Sequence, residues 1–176
     1  MPVANSDHAL TKCPLFRGMT ASERQEIFGL LETKIYSPAQ TILEEGESFQ
    51  YIWIVLKGRC QVIKTRKTGI EHELAVLEPN GVFGEMSFFN PAPHSASVRA
   101  LTDVEVSRLS RESYDRLLRM DSVAAYKLSH NTMGVLVDRL RRMDNWACDL
   151  VEKTEAAVPH EELLEFQAKL YTGWQF

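Results

Sequence analysis

The stretch Pro79-Asn80-Gly81-Val82-Phe83-Gly84-Glu85-Met86-Ser87-Phe88-Phe89, followed after Asn90 by Pro91-Ala92-Pro93-His94-Ser95-Ala96-Ser97-Val98, carries the densest chemical information in this sequence. A strand ends at a glycine, the chain offers one carboxylate, and a very short helical turn follows. A loop with two prolines then delivers a histidine and a run of small residues. Glycine at 84 permits close backbone approach. The amides of Met86 and Ser87, and those around Ser95 and Ala96, can face an anion without any side chain. The Glu85 carboxylate can accept a hydrogen bond from a sugar hydroxyl, as carboxylates do for ribose. Together these groups suit a cyclic phosphodiester carried on a sugar.

Working outward, residues 33–109 read as short strands with turn punctuation. Ile35-Tyr36 precede Ser37-Pro38, and Thr41-Ile42-Leu43 precede Glu44-Glu45-Gly46-Glu47. The β-branched and aromatic run Tyr51-Ile52-Trp53-Ile54-Val55-Leu56 stops at Lys57-Gly58. Cys60, Val62 and Lys64 start the next strand, which turns at Lys67-Thr68-Gly69, and Leu74 to Leu77 leads into Pro79-Asn80-Gly81. Ser95 to Leu101 and Val104 to Leu109 are predicted to pair as a hairpin around Thr102-Asp103. Strands every 8–12 residues or so, without helices long enough for crossovers, define an antiparallel sandwich or barrel.

Helical spacing flanks this region. Thr20-Ala21-Ser22-Glu23 is a capping box, and Ile27, Leu30 and Leu31 give an apolar face to a helix expected to end near Glu32. After Ser110 a short helix is predicted over 111–119, then a long one from about Ser122 to at least Cys148 with Asp121 as N-cap. Within it Met133, Leu136, Leu140, Met143, Ala147 and Leu150 alternate steps of three and four, with Arg139 and Asp144 at g and e′ positions. Such a seam suits a parallel two-stranded coil, hence a homodimer, or else covers the barrel of its own chain. Beyond Val158-Pro159-His160, Leu163, Phe166, Leu170 and Trp174 mark a last amphipathic helix. It packs on its own barrel, docks on a partner, or covers the pocket.

The order and spacing of Leu15-Phe16, Glu45-Gly46-Glu47, Tyr51 to Val55 with Gly58, Phe83-Gly84-Glu85, Ser95-Ala96-Ser97-Val98 and Ala100 resemble the cyclic-nucleotide-binding domains. These occur in catabolite-activator-type regulators, protein kinase A regulatory subunits and gated channels. The resemblance runs from about Leu15 to Trp146. It implies a mainly β fold with flanking helices: an eight-stranded antiparallel β-roll of the double-stranded jelly-roll type, with a long C-terminal helix that lids the pocket and dimerises. It implies a phosphate-binding cassette between Gly84 and Ala96, with Glu85 on the ribose 2′-hydroxyl. The expected divisions are a lead-in over 1–19, the roll over 20–120, the long helix over 121–152 and an extension over 153–176.

Within the cassette the sequence departs from the family's pattern. The arginine that grips the cyclic phosphate falls nine residues after the glutamate, where this chain has His94. Arginine is permanently charged and presents a planar fork of donors. Histidine, with an ordinary pKa near ~6.5, is roughly one quarter charged at pH 7. Losing a charged hydrogen bond of about 1.5–3 kcal/mol weakens binding on the order of ten- to a hundredfold. His94 is therefore a weakened or pH-dependent phosphate contact, or an exposed loop histidine in a pocket that no longer binds cyclic nucleotides. Arg99 is a nearby cation whose direction the sequence leaves open. Ungapped counting places Arg139 and Leu140 at the base-contact position of the lid helix, where Arg139 either meets a base or serves as the g-position partner. The nearest helix hydroxyl, Thr132, lies about two turns earlier, so adenine recognition by hydroxyls is not expected.

Composition narrows the remaining classes. The chain has 176 residues, 20 Lys+Arg against 24 Asp+Glu and a net charge of −4, which disfavours binding to nucleic acid through phosphate neutralisation. The last stretch carries Glu161, Glu162 and Glu165 against Lys169, and no DNA-binding helix-turn-helix is expected. No apolar run reaches the ~18 residues of a spanning helix, and the polar start at Met1 to Asp7 lacks a signal-peptide core. No membrane association is expected. Three cysteines, Cys13, Cys60 and Cys148, fit reduced thiols in a cytoplasmic protein. The histidines lack metal-ligand spacing, no cofactor is expected, and Ser87 and Ser97 show no neighbouring base for nucleophilic catalysis. Glu44, Glu45 and Glu47 read as a solvated turn. The sequence thus describes a non-enzymatic sensory domain for cAMP, cGMP or a related small anion that relays binding through the long helix to an unidentified downstream protein. The alternative is a ligand-free dimerisation scaffold with a degenerate pocket.

Overall fold

The computed structural model describes residues 10–66 and 68–154. His8, His160, the turn residue Lys67 and the predicted last helix lie outside the described residues. A single 3-10 turn, Pro14–Phe16, precedes helix α1 (Ala21–Phe28). Strands β1 (Glu32–Tyr36), β2 (Thr41–Leu43), β3 (Tyr51–Lys57), β4 (Cys60–Thr65), β5 (Glu71–Leu77) and β6 (Val82–Phe83) follow. The one-turn helix α2 (Glu85–Phe89) leads to β7 (Ser97–Ala100) and β8 (Val104–Ser110), then to α3 (Arg111–Arg119) and α4 (Val123–Thr154). The strands form two antiparallel four-stranded sheets ordered β1-β8-β3-β6 and β2-β7-β4-β5, which is the predicted eight-stranded roll.

The roll closes on buried side chains contributed by β2, β3, β4, β6, β7 and β8. Ile42, Trp53, Val55, Cys60, Phe83, Val98, Ala100, Val104 and Val106 form its buried core. Trp53 and Phe83 stack with centroids 5.7 Å apart, tying β6 flat against β3 at the point where the chain leaves the sheet for α2. Burial of these groups, at about 25 cal/mol per Å² of apolar surface, is the main favourable contribution to folding.

Three boundaries differ from expectation. Thr20 and Glu23 do form the capping box, with bonds of 2.7 and 3.2 Å, but α1 stops at Phe28 rather than near Glu32. Leu30 and Leu31 continue as a turn, because Glu32 is already drawn into the ladder opposite Arg108. Second, β7 and β8 are not a hairpin. β7 lies between β2 and β4, whereas β8 lies between β1 and β3, so the chain changes sheet at Leu101-Thr102-Asp103. That corner is stitched to the β3–β4 corner: Leu101 N donates to Arg59 O at 2.8 Å and Arg59 N to Thr102 Oγ1 at 3.1 Å. Gly58 (φ 81°) sits so close that a Cβ there would lie 2.1 Å from Asp103 O. Third, Asp121 does not cap α4. It takes a left-handed conformation (φ 54°) that closes α3, with Asp121 N on Leu118 O and Ser122 N on Leu117 O. Ser122 Oγ then accepts from Ala125 N at 3.3 Å and opens α4.

The chain divides into two compact units at Met133/Gly134, within α4. In the first, Ala124, Ala125, Leu128 and Thr132 of α4 are buried. Lys127 reaches Glu23 at 2.7 Å and Asn131 Nδ2 reaches Leu15 O at 2.8 Å. In the second, Val137, Leu140, Met143 and Trp146 are exposed, as is Cys148. No described helix is long and apolar enough to cross a membrane.

Candidate ligand site

A cleft opens where β6, α2 and the start of β7 meet the β2–β4 side of the roll. It spans about 380 Å³ of space, the open solvent at its mouth included. Its apolar wall is Leu43, Val62, Phe83 and Val98, and its polar wall is Gly84 to Ser87 with His94 to Ala96. Seven of the eight site residues named from sequence (Gly84, Glu85, Met86, Ser87, His94, Ser95 and Ala96) thus border one space. All the lining residues belong to the first unit, whereas Arg139 is half-buried on the second. Thr132 is fully buried and spends its hydroxyl on Leu128 O at 2.8 Å.

Gly84 makes the first wall possible. Its φ of 76° is left-handed, and a Cβ there would lie 2.6 Å from Tyr51 O and 2.9 Å from Trp53 Cδ1. The turn it allows swings Glu85 inward, where the residue is 1% exposed. The first hydrogen bond of α2 runs from Phe88 N to Gly84 O, so the Met86 and Ser87 amides precede it and find no acceptor within the helix. Met86 itself is exposed.

The second wall is pinned by backbone bonds to the β2–β3 loop: His94 N donates to Glu47 O at 2.8 Å, and Gly46 N donates to His94 O at 2.9 Å. These bonds turn the imidazole inward. His94 is 4% exposed, so it is not the exposed loop histidine that one expectation allowed. Its Nδ1 lies 2.8 Å from Ser87 Oγ, while its Nε2 is buried without a hydrogen-bond partner among the described residues. Burial holds its pKa below the ordinary value of 6.5, against a smaller opposing pull from the Glu47 charge. Burial thus favours the neutral form of the ring.

Ser87 does have a neighbouring base, contrary to the expectation from sequence, because folding brings together residues seven apart across α2 and the loop. The hydroxyl and the imidazole anchor the two walls to each other. Ser97 Oγ instead accepts from Glu45 N at 2.9 Å. Glu45 is likewise not simply solvated. It pairs with Lys64 at 2.5 Å and accepts from Thr65 N, contacts that lower its pKa below the usual carboxylate range.

Arg99 turns away to a bidentate pair with Glu71, at 2.8 and 3.0 Å. Cys13 and Cys60 are buried, and burial pushes their thiols up to about 12 and about 11 respectively, unsuited to ligation as thiolates at neutral pH. Sequence reasoning missed the cleft's apolar wall and the position of Lys64. The signal available was the alternation Cys60, Val62, Lys64, which sets all three on one face of β4.

The β-roll thus presents a glycine-carboxylate turn and a small-residue loop on one open cleft. Residues 33–121 match the family model described as "Cyclic nucleotide-binding domain". The chain belongs to the cyclic nucleotide-binding domain family. It is 33% identical over 131 residues to the cyclic AMP receptor protein of Thermus thermophilus, covering 74% of this chain and 59% of that one. The chain thus spans about three fifths of that relative's length. The crystal structure of the Thermus thermophilus catabolite activator protein superimposes with a TM-score of 0.68 at 28% identity, over 85% of this chain and 78% of that one. The co-crystal structure of the regulatory domain of Toxoplasma gondii PKA with cAMP gives 0.64 at 25% identity, over 75% and 50%. The names of these relatives describe regulators.

Proposed function

We propose that this chain is a sensory domain whose cleft takes a cyclic nucleotide, cAMP or cGMP first, and relays its occupancy through α4 to a partner protein. The carrying observation is that the buried Glu85 and the Ser95-Ala96 loop line one open cleft together with the apolar side chains of Leu43, Val62, Phe83 and Val98. Glu85 binds the ribose 2′-hydroxyl, and the amides of Met86, Ser87, Ser95 and Ala96 face the phosphate. His94 stands beside them as a neutral hydrogen-bonding group in place of a guanidinium, so binding is weak. The exposed stripe of Val137, Leu140 and Met143 suits pairing with a second copy.

Neutrality of His94 favours a second function: a scaffold that kept the fold and lost the messenger. Calorimetric titration with cAMP and cGMP separates the two. The sensor gives saturable heat that weakens in Glu85→Ala. Absence of heat at millimolar nucleotide, in wild type and in His94→Arg alike, removes the sensor and leaves the scaffold.

A further inference from the structure

Position 94 supplies no permanent charge, and Arg99 is committed to Glu71. Arg111 likewise spends its guanidinium on Asp115 and on the Phe88 carbonyl. A different cation nevertheless touches the cleft wall. Cys60, Val62 and Lys64 share a face of β4: Cys60 is sealed in the core, Val62 walls the cleft, and Lys64 is the next along. The register of β4 on β7, Val62 with Val98 and Ile63 with Ser97, brings Lys64 alongside the Ser95-Ala96 turn. Its ammonium sits 2.5 Å from Ser95 O and 2.5 Å from Glu45 Oε1.

We propose that Lys64 is the cation that reads the ligand's phosphate in this cleft, taking from β4 the charge that position 94 lacks. An ammonium carries three donors. Two are engaged by Ser95 O and Glu45, which hold the head at the wall, and the third is available to a phosphate oxygen resting on the Ser95 and Ala96 amides. Because the lysine side chain is 44% exposed and shares its charge with Glu45, the contact is solvent-screened and sensitive to salt. The resulting site discriminates a charged phosphodiester from an uncharged nucleoside by one point charge rather than by a fork. This inference rests on the cleft being the nucleotide site.

The test is calorimetry of wild type, Lys64→Gln and Lys64→Arg with cAMP and with adenosine, at low and at physiological salt. Lys64→Gln is expected to weaken cAMP about three- to tenfold and to flatten its salt dependence. Adenosine affinity stays within about twofold, and Lys64→Arg keeps most of the cAMP affinity. Equal cAMP affinity and salt dependence in wild type and Lys64→Gln overturns the role of Lys64 while leaving the cleft as a nucleotide site. Parallel loss of cAMP and adenosine in Lys64→Gln also overturns it, since that marks a general distortion of the wall. If wild type binds neither compound, both this role and the nucleotide site fall. Thermal denaturation of each variant confirms folding at this exposed position.

Discussion

The two segments that wall the cleft differ in backbone, one a left-handed glycine entering a helix and the other a loop entering a strand, and in chemistry. Residues 83–87 deliver a buried carboxylate on a turn that only glycine at 84 can make. Residues 94–98 deliver small residues and a buried, neutral imidazole, with charge supplied from outside by Lys64. The first wall has the parts needed to grip a sugar, whereas the second has the space and amides for a phosphate without the usual guanidinium. One bond, Ser87 Oγ to His94 Nδ1, couples them. A single substitution can thus change what one wall recognises while the other stays intact, and affinity and stability become separable properties.

The largest expected effect comes from breaking the first wall. Gly84→Ala forces a Cβ to within 2.6 Å of a strand carbonyl at a left-handed φ, and should cost about 2–4 kcal/mol of stability in denaturant titrations. A variant as stable as wild type would mean that the turn is not constrained as described.

Restoring a guanidinium sharpens the second wall. His94→Arg should tighten cAMP on the order of ten- to a hundredfold, with a smaller gain for adenosine. Equal gains for both compounds would show that the substitution reshapes the cleft rather than supplying charge.

Acidity should act in the same direction, but less. His94 titrates below 6.5 when folded, so the unfolded chain takes up its proton first. Stability from this group is therefore complete above pH about 6.5 and declines as the pH falls through that value. An anionic ligand favours the protonated ring. cAMP affinity should rise roughly two- to fivefold from pH 8 to pH 5.5, with no such trend for adenosine. A flat profile for cAMP would place the phosphate away from the imidazole.

The smallest effect is expected at Arg99. Its pair with Glu71 lies away from the cleft, so Arg99→Ala should leave cAMP affinity within about twofold. A larger loss would put a second cation into the site.

Much of this architecture is legible from residues near one another in sequence. The strands, the capping box at Thr20 and the turn at Gly84 are local, fixed by alternation, side-chain capping and backbone sterics. The fate of β7 and β8 is not, because two strands four residues apart pair or change sheet according to contacts with Arg59 and Gly58 forty residues earlier. Asp121 reads as a cap because an aspartate before a helix and one closing the previous helix look alike in sequence. In the cleft, the polar residues 84–87 and 94–96 are legible as motifs, whereas Leu43 and Val62 are not. What His94 does is not, since its burial and its bond to Ser87 arise only when the loop is pinned to Gly46 and Glu47. Lys64 escapes notice because a lysine at a strand end usually marks solvent.

The most direct measurement is nitrogen-15 NMR of the His94 ring, titrated with pH in the absence and presence of saturating cAMP. The chain should show a neutral ring at pH 7 without ligand, and an Nε2 resonance that moves on adding cAMP with an upward shift of the ring's pKa. Unchanged His94 resonances and an unchanged titration at saturating nucleotide would contradict the placement of a phosphate against this wall.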